Sequence, residues 1–268
     1  MVIEVHYGKI NIYFVTLGNG IMLHIDILTL FPDAFTGYLE HSIIGRAGTR
    51  KIVDIRLHNI RDYTHDRHHT VDDYPYGGGA GMVMKPEPIF EAVESIKAGI
   101  ENTGYPVILL TPQGRLLTQD IVRKLASENN LILICGHYEG IDERVAEHLA
   151  TDQISIGDYL LSGGETAAMV MVDCLVRLLP GAINSECSLE EESHNAGLLE
   201  YPQYTRPPEY RGLAVPEILM SGNHREIALW RREQSIMRTA KRRPDLLNKA
   251  LLSNEEWQRV KSAGPVNN

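Results

Sequence analysis

From Met22 onward, short apolar runs alternate with stretches in which apolar residues recur every three or four positions. MLHIDILTLFP predicts a first core strand that stops at Pro32 ahead of a short helix. Aliphatic and β-branched runs at 51–57, 106–110 and 131–135 predict further strands, and the periodicity at 88–100 and 118–127 predicts helices between them. This alternation predicts an α/β fold with a mostly parallel sheet. The strands at 106 and 131 have few polar residues, as strands covered on both faces do. The first 21 residues alternate like a strand and lack the basic start, apolar run and cleavage site of a signal peptide, so Met22 is read as the domain start.

A helix predicted at 165–179 is apolar on most sides and stops at Pro180-Gly181, so it is expected to be buried or to lie at a subunit contact. Residues 186–200 hold five acidic side chains and no Lys or Arg, which reads as an exposed linker. Beyond it, 223–243 reads as a helix whose seven Lys and Arg outweigh Glu226 and Glu233. Ser253 and Glu256 have the spacing of a capping box for a last helix. The expected layout is an extension at 1–21, an α/β domain at 22–182, a linker at 183–200 and a helical C-terminal domain at 201–268.

Composition narrows the function. With 43% apolar and 23% charged residues and no apolar stretch near the roughly 20 residues a spanning helix needs, no membrane segment is expected. The three cysteines, Cys135, Cys174 and Cys187, form no CxxC pair, so a reducing cytoplasmic setting without structural zinc is expected. A net charge of −9 argues against nonspecific coating of nucleic acid but permits a local basic patch.

In a parallel sheet, ligands bind beyond the carboxyl ends of the strands. Three glycine-bearing turns fall there: Thr111-Pro112-Gln113-Gly114, Cys135 to Gly140, and Ile156 to Gly164. Each alone reads as a turn; together they favour a small-molecule pocket. No GxGxxG opening a helix and no GxxxxGK[ST] is present, so the usual dinucleotide and triphosphate sites lack support. Tyr74 to Met82 carries four glycines, either as a flexible surface loop or as backbone that presses against a base or phosphate. The preceding HDRHHTVDD has the residue types of a metal site, but its clustered charges favour a solvated or RNA-facing loop, and no metal ligand is assigned.

These strings, in order, resemble one family: LFP at 30–32, THDRHHTVDDYPYGGGAGM at 64–82, TPQGR at 111–115, CGHYEGIDERV at 135–145, SIGDYLLSGGE at 155–165, GLLEYPQYTRP at 197–207 and VPEILMSGNH at 215–224. The chain resembles the bacterial tRNA (guanine-37, N1) methyltransferases of the SPOUT class from Met22 to about Leu247. The resemblance implies a trefoil-knotted sheet domain that binds S-adenosylmethionine, a helical tRNA-binding domain, and an obligate homodimer with its active site at the subunit interface. It implies a donor pocket of Leu109, Leu110, Pro112, Gly136, Tyr138, Glu139, Ile156, Gly157, Asp158, Tyr159, Leu160, Leu161, Gly163 and Gly164. For tRNA it implies Arg67, Asp72 and the backbone of Gly77, Gly78 and Gly79 at the loop bases, and the helix bearing Arg231 and Arg232 at phosphates.

The family's catalytic arginine falls on Arg177, with an ion pair at a subunit contact as the plainer reading. Its catalytic aspartate falls in the acidic run, where ungapped counting from Arg177 to GLLEYPQYTRP puts Glu192, one methylene longer; Glu191 is the alternative. Guanine N1 is protonated at neutral pH, so a carboxylate must take its proton before attack on the methyl, and a cation can stabilise the developing negative charge. The family also implies magnesium assisting this step, and reading-frame maintenance as the purpose of the modified base beside the anticodon. The rival readings are a SPOUT ribose 2′-O-methyltransferase and an RNA-binding module without catalysis.

Overall fold

The computed structural model describes residues 2–7, 10–15, 22–98, 105–183, 193, 197–248 and 250–262, with side chains from Met22 onward. The chain divides into two compact units, Met1–Asn184 and Ser185–Asn268.

The first unit opens with an antiparallel hairpin, β1 (Val2–Tyr7) and β2 (Ile10–Val15), so the upstream alternation is two strands rather than one. Its sheet consists of β3 (Leu23–Thr29), β4 (Val53–Asn59), β7 (Val107–Leu116), β8 (Asn130–Cys135) and β9 (Asp152–Ser155), all parallel and ordered β4-β3-β8-β7-β9. Between β4 and β7, a two-residue pair forms from β5 (Asp72–Asp73) and β6 (Val83–Met84). The expected α/β class with a parallel sheet is what the chain adopts.

Consecutive side chains of the sheet feed opposite faces. Leu131, Leu133 and Cys135 pack in one apolar layer with α1 (Thr36–Leu39), α2 (Ser42–Thr49), α4 (Gln119–Leu125) and α6 (Glu165–Leu178). Ile132 and Ile134 pack in the other with α3 (Pro86–Ala98) and α5 (Glu143–His148). Both layers exclude water, which is why these strands are unbroken apolar runs. Asp26 is an exception, buried on β3 and bonded through Oδ1 to Nε2 of His58 on β4 at 2.7 Å.

Strand β7 does not end at Leu110 as its sequence predicts. Ile154 of β9 stands opposite both Leu110 and Arg115, so residues 111–114 bulge out of the ladder before pairing resumes. Gly114 makes this possible, since a Cβ there would lie 2.4 Å from the Ile154 backbone nitrogen.

In the second unit the longest element is the helix His224–Arg242, capped where Asn223 Oδ1 accepts from Glu226 N–H. The last helix, Asn254–Ser262, opens on the expected capping box: Ser253 N–H donates to Glu256 Oε2 (2.7 Å) and Glu256 N–H to Ser253 Oγ (3.2 Å).

Candidate active site

Because β8, β7 and β9 are neighbours, the three glycine-bearing turns meet at one edge of the sheet. Gly164 N–H donates to Gly136 O at 2.8 Å, and His137 bridges to Gly163 in antiparallel fashion. Gly164 leaves no room for a side chain, since a Cβ there would lie 2.6 Å from Cys135 Cα, whereas one on Gly163, 2.6 Å from His137 Nδ1, would require side chains to shift. Leu117 N–H donates to Ser155 O (2.8 Å), and Ser155 Oγ both donates to Gly157 O and accepts its N–H. Tyr159 OH donates to Ile156 O at 3.1 Å, arching the segment over itself.

Leu109 and Leu110 are buried beneath these turns; Pro112 and Glu139 are exposed, and Gly136, Ile156, Gly157 and Gly163 are half-buried. Tyr138, Asp158, Tyr159, Leu160 and Leu161 face outward, with Leu160 84% exposed. So much apolar surface on conformationally restrained turns marks a place that something covers. Tyr138 also sits at φ +59°, a left-handed conformation uncommon for an aromatic residue, with its ring edge-on to His137 at 5.0 Å. His137 Nδ1 is shielded from solvent with no partner among the described residues.

The glycine-rich segment joins this edge. Glu139 N–H donates to Met82 O, Met84 N–H to Gly140 O and Asp142 N–H to Met84 O. Gly81, at φ +80°, passes so close that a Cβ would lie 2.4 Å from Glu139 Cγ. Asp72 pairs with Met84, while Gly77, Gly78 and Gly79 form the exposed tip. Arg67 lies in an exposed turn built around Asp66, which accepts from Thr70 N–H, Thr70 Oγ1 and His68 N–H. Those bonds, the backbone one from Thr70 foremost, pull the Asp66 carboxyl down to about 2. His65 pairs with Glu91 at 2.9 Å and His69 with Thr64 at 3.0 Å. Among the described residues no three His, Cys, Asp or Glu side chains converge as a metal site.

Arg177 is half-buried in the last turn of α6, where a cation complements the helix carbonyls. Three residues back, burial and then Asp173 push the Cys174 thiol up, with Arg177 pulling it back. Tyr38 donates to Asp173 at 3.2 Å, and burial followed by that carboxylate raises its phenol to about 12. Glu190, Glu191 and Glu192 lie outside the described residues.

Glu165, at the start of α6, has no assigned role in the sequence reading, although it ends the SIGDYLLSGGE string. It is buried, accepts from Thr29 Oγ1 at 2.7 Å, and with burial holds the Cys135 thiol well above its ordinary value. Thr29 lies 136 residues away, so no local signal could reveal the pair.

In the second unit, Arg232 is already engaged, donating to Glu256 Oε1 (2.9 Å) and Leu251 O (2.8 Å). Arg238 donates to Glu200 O and Arg243 to Asp245. Arg231 lies over the Tyr201 ring at 4.7 Å.

Residues 23–249 match the protein-family model described as "tRNA (Guanine-1)-methyltransferase TrmD". The chain is 57% identical over 234 residues to a protein of Dehalococcoides mccartyi, covering 87% of this chain and 94% of that one. It is 56% identical over 239 residues to one from Geobacillus kaustophilus (89% and 97% covered) and 55% over 243 residues to one from Thermomicrobium roseum (91% and 90%). All three carry the name tRNA (guanine-N(1)-)-methyltransferase.

Proposed function

The chain belongs to the tRNA (guanine-1)-methyltransferase family, and from that premise we propose how its residues divide the work. The protein is an enzyme that methylates N1 of guanine in tRNA. The finer assignments are guanine 37 as the target, S-adenosylmethionine as the donor, and a trefoil-knotted, obligately dimeric catalytic unit. Base methylation is preferred over the ribose 2′-O alternative on the relatives' shared name. The observation that carries the site assignment is the bonding of two glycine turns through Gly136, Gly164, His137 and Gly163, beside a third whose flanks, Leu110 and Arg115, both pair with Ile154.

S-adenosylmethionine fits this edge. Leu109, Leu110 and Ile156 offer an apolar floor, the turns offer backbone at close approach, and Tyr138, Tyr159, Leu160 and Leu161 are exposed apolar side chains available to close over adenosine and methionine. Pro112, Gly157, Asp158 and Glu139 complete the walls. When bound, the donor supplies an electrophilic methyl. For magnesium the described residues offer no fitting cluster, so every step here is assigned to side chains.

Glu192 takes the guanine N1 proton, freeing the lone pair, and Arg177 stabilises the charge that develops on the purine. Among the described residues Glu165 is a carboxylate buried at this edge; bonded to Thr29, it braces α6 rather than acting as base. The exposed apolar side chains Leu116, Leu160, Leu161 and Val170 favour a second copy of the chain as a cover, which brings the active site to a subunit interface. Arg67, Asp72 and the backbone of Gly77 to Gly79 read unstacked loop bases. The helix His224–Arg242 holds phosphates, with Arg231 contributing directly and Arg232 bracing the unit through Glu256.

The test is incubation of tRNA with methyl-labelled S-adenosylmethionine, followed by nuclease mapping and mass spectrometry. The expected product is 1-methylguanosine confined to position 37. Methyl on ribose, or on another guanine, would overturn the assignment.

A further inference from the structure

The second unit holds a cavity of about 740 Å³ that these roles touch only at the helix His224–Arg242, lined in part by Tyr201, Tyr204, Arg206, Met220, His224 and Arg231. Its size suits a small polar molecule or one residue of a polymer. Although the whole chain has a net charge of −9, among the described residues neither Asp nor Glu lines it, whereas two arginines and a histidine do. Arg231 is held there by stacking on the buried Tyr201 ring, and its Nε is shielded from solvent with no hydrogen-bond partner among the described residues. A guanidinium so placed leaves a donor unsatisfied until an acceptor enters. Beside it stand a flat ring and a thioether with open faces, Tyr204 at 49% and Met220 at 55% exposure.

Cations on one side and exposed aromatic and apolar faces on the other match a nucleotide, whose phosphate is anionic and whose base stacks. We infer that this cavity receives one unstacked nucleotide of the RNA substrate, its phosphate facing Arg206, His224 and Arg231 and its base against Tyr204 and Met220. A duplex backbone lacks the free base that the apolar wall requires. The inference rests on tRNA being the substrate.

The test uses the full chain, comparing wild type with Tyr204→Ala, Tyr204→Phe and Arg206→Gln by tRNA binding across a salt series. Tyr204→Ala should weaken binding about 5- to 100-fold, the range of one lost base–aromatic stack, while Tyr204→Phe keeps most of the affinity. Arg206→Gln should reduce the salt slope by about 0.7 to 1. At saturating tRNA the single-turnover methyl-transfer rate should stay unchanged in all three, and circular dichroism should show wild-type folding. Adenosine monophosphate should compete with tRNA for the wild type but not for Tyr204→Ala. If wild type methylates tRNA while Tyr204→Ala and Arg206→Gln bind it as wild type does, the cavity is not an RNA site and the enzyme assignment stands. With the donor pocket saturated by S-adenosylmethionine, adenosine monophosphate that binds without displacing tRNA would likewise overturn the RNA source. A wild-type protein that neither binds nor methylates tRNA overturns both readings.

Discussion

In Met1–Asn184 a parallel sheet lies between two water-free apolar layers, and its functional edge is fixed by glycines that leave no room for a methyl. In Ser185–Asn268 the apolar cluster centres on Leu198, Ile236 and Leu247, and much of the remaining order comes from Arg232, Glu256, Ser253 and Thr239 bonding to neighbours. Dense packing transmits a displacement of one backbone to its neighbours, whereas a small core with a charged surface tolerates adjustment. The first kind of construction suits in-line transfer of one carbon, where small errors of position are costly. The second suits gripping a long polyanion.

The largest expected effect tests whether chemistry belongs to the first unit's side chains plus the acidic run. Glu192→Gln keeps size but cannot take a proton, so single-turnover transfer should fall about 10²- to 10⁴-fold while calorimetry shows donor binding intact. Glu192→Asp should retain much more activity. If Glu191→Gln is the inactive variant, the assignment moves by one residue; near-wild-type rates in Glu190→Gln, Glu191→Gln and Glu192→Gln alike remove the run from catalysis.

Next in size, Leu247→Ala removes a buried side chain from the smaller core and should cost about 2 to 5 kcal/mol. If the two units are built as differently as described, thermal unfolding should become biphasic, with donor binding surviving the first transition. Gly164→Ala should cost about 1 to 3 kcal/mol through overpacking against Cys135, and should weaken donor binding more than tRNA binding. Equal losses of both would blur the contrast.

A smaller effect concerns Glu256. Burial opposes its ionisation, but bonds from Arg232 and Ser253 prevail and hold the carboxyl below the usual range. Its stabilisation is therefore complete above about pH 5 and is lost as pH falls through the depressed folded value. Glu256→Gln should lower stability by about 1 kcal/mol at neutral pH and flatten the acid limb of the second unit's melting curve. Smallest of all, a chain beginning at Met22 should keep its activity and melting temperature, because the matched family region starts at residue 23. Aggregation of that shorter chain would show the β1–β2 hairpin to be protecting the sheet unit.

What the sequence reveals follows the range of the forces involved. The strand at 131–135 and the Ser253–Glu256 box are legible because periodicity and capping act over a few residues. The carboxyl-edge turns are legible as candidates because three of them follow strands of one parallel sheet, at the ends where ligands bind. By contrast, Pro112 and Gly114 read as the end of a strand, and only the pairing of Ile154 with both flanks shows that β7 continues to Leu116. Pairs such as Asp26 with His58 and Thr29 with Glu165 join distant residues and leave no local trace. Counting seven cations on one helix does not show that Arg232, Arg238 and Arg243 already have partners within their own unit.

The strand order has a consequence for biosynthesis. β3 lies in the interior of the sheet, yet its second neighbour, β8, pairs His24 with Asn130, more than a hundred residues further along the chain. At about 5 to 20 residues per second, a ribosome takes roughly 5 to 20 s to cover that distance. Throughout that interval the nascent chain carries an apolar strand with at least one unpaired edge, and β9 must still be made before the sheet is complete. Ribosome-associated chaperones that shield Leu23–Thr29 are therefore expected to set the yield of this protein more than its final stability does.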